Sequence, residues 1–266
     1  MVGILVRPFP RFPLAALLYG GLLLQPALGA GQSIEPVAAY QEDARRLMEA
    51  ALSDASAFAR LADLVDTFGP RFSGTEALEA SLDWILEEME RDGLENVRSE
   101  PVLVPRWIRG EESLELLLPR EEEFAVLGLG PSVATPPGGI RAEVLVVESF
   151  EELEERASEA TGKIVLFDAP FTTYGETVQY RGSGAVAAAQ VGAVASLIRS
   201  VTPFSMNTPH TGGMAYQEGI PEIPHAAITV EDALMLHRMQ DRGERIEVRL
   251  AMEATSEGLV PSRNIM

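Results

Sequence analysis

The chain has no cysteine among its 266 residues. Disulfides, thiolate catalysis and cysteine-ligated zinc are excluded together. Histidine is scarce: His210, His225 and His237 are the three present, and none stands in a His-x-Asp or His-Glu-x-x-His arrangement. The serines include no Gly-x-Ser-x-Gly elbow, so a nucleophile at a strand-to-helix turn has no support. The Asn207-Thr208-Pro209 triplet fails as a glycosylation acceptor because of its proline, and no permitted sequon occurs elsewhere. Positive charge is also short, with 21 Lys and Arg against 40 Asp and Glu, a formal net charge of −19 and a pI near 4.5. Nucleic acid and anionic lipid are therefore excluded as partners, because their phosphates are repelled.

What is present is ordinary globular material. Hydrophobic residues make up 46% and charged residues 23% of the chain, values that argue for a folded core and against disorder. At the start, Arg7 and Arg11 precede an apolar stretch from Leu14 to Leu24, and Ala27-Leu28-Gly29 offers small residues for cleavage. This reads as a secretory signal peptide over residues 1–29. The apolar stretch is shorter than the roughly 20 residues of a spanning helix, and nothing later in the chain is longer. The expectation is export to a periplasmic or secreted location, or to the secretory pathway and lysosome in a eukaryote, without a membrane anchor.

Ile34 to Phe68 carries apolar residues at helical spacing, among them Leu47, Ala51, Ala55, Phe58 and Leu61. A Gly69 to Thr75 loop follows, with Ser73 and Glu76 as an expected capping box for a helix that runs to Arg91 and stops at Gly93. That helix is expected to bury Leu78, Leu82, Ile85 and Met89. Val97 to Val104 and Ser113 to Leu118 read as strands of a meander, with Trp107 and Arg109 in their connection. The Pro/Gly-rich stretch Pro131 to Gly139 is the clearest boundary signal.

Beyond it, strands and helices alternate. Ala142 to Val147, Lys163 to Phe167, Ala193 to Ile198 and Ala226 to Val230 read as buried strands. Phe150 to Ala160, capped by Ser149, an Ala-rich segment entered by a loop at Tyr180, and Glu231 to Gln240 read as helices. Ile246 to Met252 reads as an alternating edge strand. The expected class is α/β.

Gly182-Ser183-Gly184 followed by Ala187 has the glycine spacing of a dinucleotide loop, but such a loop needs a strand immediately before Gly182, and an irregular segment is expected there. His237, on a charged helix, is expected to be solvated, and His225 to be a hydrogen-bonded structural histidine. His210, in Thr208-Pro209-His210-Thr211-Gly212-Gly213, is the one histidine read as a functional candidate.

Several stretches in order resemble the carboxypeptidase Q (plasma glutamate carboxypeptidase) family of zinc exopeptidases. They are Phe68-Gly-Pro-Arg-Phe-Ser-Gly74, Gly162-Lys-Ile-Val165, Thr177-Val-Gln-Tyr-Arg181, Gly192-Ala193 with Ala195 to Ser200, Pro209-His-Thr-Gly212, and Ile228 to Ala233. The resemblance implies an aminopeptidase-like zinc-peptidase domain, its front helices and strands at 30–130, with an α/β protease-associated domain inserted at 140–253. Residues 254–266 are expected to begin the return into the catalytic domain. It implies peptide substrates, allows a homodimer, and assigns two zinc ions to the full-length family but no metal ligand and no catalytic residue to this chain. Tyr180, Arg181 and His210 are the residues it suggests facing a substrate cleft. The leading expectation is a non-catalytic front portion of such an enzyme. The alternative is a free-standing protease-associated binding or sorting module without enzymatic activity.

Overall fold

A computed structural model describes residues 36–266. The stretch read as a signal peptide, 1–29, lies outside the described residues. Contacts divide the chain into two units, 1–57 and 58–266.

In the first unit, α1 (Pro36–Ser53) is a polar helix stitched by charges one turn apart. Arg45 binds Glu49 at 2.6 Å and also reaches Glu42. Such exposed pairs contribute only a few tenths of a kcal/mol each. Leu47, Met48 and Leu52 remain exposed, Leu52 at 89%.

The second unit opens with α2 (Ser56–Phe68), whose Phe58, Leu61 and Val65 are exposed. Its opposite contacts are with α3 (Glu76–Arg91): Arg60 forms a fork on Asp92 at 2.6 and 2.8 Å, and Phe68 packs on Trp84. The cap of α3 is Thr75, whose Oγ1 accepts from Leu78 N at 3.3 Å, and not the expected Ser73. Gly74 causes the displacement, because its φ of +73° turns the chain once more before the helix starts. A Cβ at Gly74 would stand 2.5 Å from Val260 Cγ2, so the glycine also permits close approach to the last strand. Along α3 only Ser81 is fully buried; the expected stripe of Leu78, Leu82, Ile85 and Met89 is half-covered.

The meander expected next does not form. β1 (Ser99–Ile108) contains Trp107 and pairs antiparallel along its whole length with β10 (Thr255–Ile265), making a separate two-stranded ribbon. Ser262 and Arg263 on β10 hold Glu79 and Asp83 of α3, each at 2.6 Å.

Between the two ribbon strands lies an eight-stranded sheet. It comprises β2 (Glu112–Leu118), β3 (Glu122–Phe124), β4 (Val126–Gly128), β5 (Ile140–Val147), β6 (Ile164–Phe167), β7 (Ala195–Arg199), β8 (His225–Ile228) and β9 (Glu247–Met252), in the order β3-β2-β9-β5-β6-β7-β8-β4. β5 to β8 are parallel; β9 joins β5 antiparallel and pairs with β2 on its other side. Two sequence expectations change. Residues 246–252 form an interior strand and not an edge, because β2 supplies a partner from far upstream. The Pro131 to Gly139 stretch, read as a boundary, connects two strands of one sheet.

Period-two alternation splits the parallel strands between two cores. Val144, Val146, Ile164, Leu166 and Leu197 face one side with α7 (Val230–Asp241) and the strands β2 and β9. Leu145, Val147, Val165, Phe167 and Ile198 face the other, covered by α4 (Phe150–Glu155), α5 (Ala157–Ala160) and α6 (Tyr174–Gln190). Ser149 caps α4 as expected, its Oγ accepting from Glu152 N at 3.1 Å.

Helix α6 begins six residues before the expected loop at Tyr180, capped by Thr173. Gly182 and Gly184 therefore lie within a helix and not in a phosphate-binding turn, and no strand precedes Gly182. Gly184 has a packing reason: a Cβ there would come within 3.1 Å of the His225 ring and 3.2 Å of Phe167. His225 is fully buried, its Nδ1 3.2 Å from Ser196 O and its Nε2 without a hydrogen-bond partner. This matches the structural role expected of it. Burial pushes its pKa down to about 4, opposed only in part by backbone groups of Ser196, Tyr180 and Arg181.

Two outcomes are expected. Gly184→Val should lower stability by about 1–3 kcal/mol through overpacking, whereas Gly182→Ala, with nothing within 4 Å, should raise it by up to roughly 1 kcal/mol; thermal unfolding of both variants checks the contrast. A His225 that is neutral when folded and titrates near 6.5 when unfolded leaves stability complete above pH 6.5 and erodes it as pH falls toward about 4. Urea unfolding at pH 7 and pH 5 should show a loss that is smaller in His225→Gln.

Candidate functional site

The site forms where loops from distant parts of the second unit converge. Arg71 Nη1 donates to Leu64 O at 3.3 Å and to Gly69 O, and this pins the loop between α2 and α3 so that Phe72 turns toward β1. Phe72 meets Trp107 edge-on, with ring centroids 5.6 Å apart at 84°. Trp107 is 8% exposed and donates through Nε1 to Ser132 O at 2.9 Å, which fixes its ring beside the loop after β4.

Arg109 lies across this aromatic pair. Its guanidinium carbon is 5.0 Å from the Phe72 ring and 5.4 Å from that of Trp107, within cation–π range. Its Nη2 donates to Gly128 O at 3.1 Å and to Thr211 Oγ1 at 3.2 Å, so one side chain ties the ribbon, the sheet and the 209–213 loop together. Glu112 lies 3.6 Å from Arg109 Nε and accepts from Gly128 N at 2.9 Å, closing the free edge of β4. Burial raises the pKa of its carboxyl, against the hydrogen bond from Gly128 and the charge of Arg109.

Between these elements opens an apolar cavity of about 360 Å³. Phe72 and Ser73 line it from the α2–α3 loop, Pro105 and Trp107 from β1, and Gly130, Pro131 and Thr211 to Gly213 from the sheet side. A short parallel bridge shapes the last wall: Gly130 N donates to Gly212 O at 3.0 Å, and Met214 N to Gly130 O at 2.8 Å.

The three residues expected to face a cleft fall in different places. Tyr180 is half-buried on α6, its ring tilted 4.6 Å from Phe150 and 5.6 Å from Phe167, and burial raises the pKa of its hydroxyl. Arg181 stands behind the cavity wall: a Cβ on Gly212 would be 2.6 Å from its guanidinium carbon. It donates to Tyr174 Oη at 2.5 Å, lies over that ring, and has no carboxylate partner among the described residues. His210 is exposed, and its backbone N–H donates to Ser200 Oγ at 2.8 Å. The fold thus brings Arg181 and the loop of His210 together, while the half-buried Tyr180 ring packs on Phe150 and Phe167 and does not line the cavity. Phe72, Trp107, Arg109 and Thr211, absent from the expectation, make the site instead.

His237 is a correction. Expected to be solvated, it contacts Asp168 Oδ2 through Nδ1 at 2.7 Å, while Arg199 contacts Oδ1 of the same carboxylate at 3.3 Å. Asp168 is 1% exposed at the end of β6 and needs these donors. The exposed Asp241 lies 3.9 Å from Nε2 of the same imidazole. Among the described residues no three His, Asp or Glu side chains converge to hold a metal ion. The residues present therefore do not fit a zinc centre.

No protein-family model matches the chain. Carboxypeptidase Q of Mus musculus is 49% identical over 245 residues, covering 86% of this chain and 52% of that protein. The peptidase M28 precursor of Shewanella amazonensis, a crystal structure, superposes with a TM-score of 0.81 at 32% identity, over 86% of this chain and 53% of its own. BSAP, a zinc aminopeptidase from Bacillus subtilis, shares the fold at a TM-score of 0.55 and 24% identity, over 79% of this chain and 45% of its own. The chain spans about half the length of the curated relatives it matches. Over that half, this chain belongs to the carboxypeptidase Q family.

Proposed function

We propose that the chain supplies the leading part of the peptidase domain and the protease-associated domain of an exported, zinc-dependent exopeptidase, a carboxypeptidase or dipeptidase that hydrolyses peptide bonds. By itself the chain does not catalyse. The observation that carries this reading is the ribbon: β1 and β10 lie paired side by side from Ser99–Ile265 to Ile108–Thr255, with the whole eight-stranded sheet strung between their inner ends. That is the out-and-back geometry of one domain inserted into another. On this reading the insert comprises the strands from Glu112 to Met252, wider than the 140–253 expected from sequence.

The exposed faces of α1 and α2 support the same view over a free-standing binding or sorting module. Leu47, Met48 and Leu52 on one helix, and Phe58, Leu61 and Val65 on the other, are large apolar side chains left in water. A self-sufficient module covers such stripes. The zinc ions and the groups that act on them then belong to the part of the family's length that this chain does not span, and no hydrolytic step is assigned to the residues here. The described residues include no helix long and apolar enough to cross a membrane, and the signal-like start supports export.

Within this frame the chain's own residues shape the approach of the peptide. Arg181 is a positioning residue that braces Gly212 on the cavity wall, and His210 marks the outer end of the same loop. The experiment is a chimera in which this chain is continued by the remaining half of mouse carboxypeptidase Q. With zinc present, the chimera should hydrolyse dipeptides and the chain alone should not; hydrolysis by the chain alone overturns the proposal. In the chimera, Arg181→Met should raise KM several-fold with a smaller change in kcat, and Arg181→Lys should restore part of the loss; unchanged kinetics removes Arg181 from the cleft.

A further inference from the structure

The cavity between Phe72 and Trp107 has two properties that together describe an occupant. Its interior is apolar and ring-walled, and at about 360 Å³ it falls within the range of ligand pockets, which are concave, mostly apolar and edged by a few polar groups. Its rim carries unspent backbone. The parallel bridge beside it uses Gly212 O and Met214 N, so the N–H and C=O of the intervening Gly213 point away from Gly130. Gly213 is exposed and has no hydrogen-bond partner among the described residues. An open backbone edge next to a side-chain pocket is the arrangement by which an extended peptide is read: main-chain hydrogen bonds hold it, and the pocket selects its side chain.

The other wall is rigid. Trp107 is anchored to Ser132, Arg109 clamps Phe72 and Trp107 to Thr211, and Gly130 lies against the Trp107 ring, where a Cβ would be 3.4 Å from it. The cavity lining offers no charged side chain to an occupant: Arg109 and Arg181 both stand behind the wall, their Nη2 groups donating to Gly128 O and Tyr174 Oη.

We propose that residues Thr211 to Gly213 are a docking edge for an extended peptide, and that the cavity lined by Phe72, Pro105, Trp107 and Pro131 receives one apolar side chain of that peptide, aliphatic or aromatic. The inference rests on the peptide-processing reading above and adds the residue class that this half of the protein selects.

Gly213 supplies a clean test. A Cβ there meets nothing nearer than Gly130 O at 4.0 Å, so Gly213→Val adds a branched side chain at the cavity rim and on the docking edge without a clash, whereas a side chain at Gly212 would collide with Arg181. Calorimetric titration of the full chain uses tripeptides, acetylated and amidated, with a central phenylalanine, leucine or glutamate. The phenylalanine and leucine peptides should bind roughly tenfold or more tighter than the glutamate peptide, the usual scale of selection by an apolar pocket. Gly213→Val should abolish that preference while leaving the unfolding midpoint within about a degree of the parent. Equal binding of the three peptides, or an unchanged preference in Gly213→Val, overturns the inference.

The chimera separates this from the parent proposal. Selective binding without hydrolysis by the chimera defeats the enzymatic reading alone, and hydrolysis without selective binding defeats the pocket alone. A Trp84→Phe background leaves Trp107 as the single tryptophan of this chain. If acrylamide quenching of Trp107 in the chain alone is lost in the peptide-free chimera, the cavity is filled by the rest of the protein and the inference falls.

Discussion

Burial of the four parallel strands on both faces is the constraint on which the rest of this structure depends. Every side chain of Ile164–Phe167 is buried, and β7 and β8 are nearly so throughout. A two-sided sheet of this kind is stable only when both faces are covered. The alanines of α6 let that helix pack closely on one face, and α7 with the curled β2–β9 pair covers the other. His225 and Gly184 are consequences of this closeness: the ring sits where helix and sheet touch, and the helix leaves out a side chain to admit it.

The same constraint determines where chemistry can occur. With both faces filled, the surface left for a ligand is at the strand ends and in the loops, and the cavity lies there, beside the loop after β4 and the long β7–β8 connection. Arg109 is the tie that makes these loops a site. It joins two aromatic rings from one side to a backbone carbonyl and a hydroxyl from the other, so the ribbon and the sheet share one wall. Asp168, Arg199 and His237 form a comparable knot on the α7 side, where one buried carboxylate accepts from a strand arginine and contacts a helix histidine and so braces helix against sheet.

The contrast between Tyr180 and Trp107 shows how much of the site was legible. Both belong to aromatic- and arginine-bearing segments that sequence could pick out. Tyr180 was expected in a loop entering a helix; with α6 beginning at Tyr174 it is carried a turn and a half into the helix and onto Phe150 and Phe167. Trp107 was expected in a connection; because β1 finds its partner some 150 residues later, the strand continues through it. Neither shift has a local signal. The loops at Gly69–Gly74 and Pro209–Gly212 were marked by family resemblance, yet nothing in either indicates that they meet.

The sequence by itself determined the buried strands, the cap at Ser149, the acidic and cysteine-free character that excludes whole classes of chemistry, and the kinship with carboxypeptidase Q. These rest on short-range facts: alternation, helical spacing, turn residues and charge. Tertiary structure alone decided that β2 to β4 join the later strands, that β9 is interior, that β1 and β10 form a separate ribbon, and that Phe72, Trp107, Thr211 and Gly213 share a cavity. Each of those outcomes depends on pairing between residues far apart in the chain, where backbone hydrogen bonds carry no residue-specific label and the choice falls to which faces can be buried together.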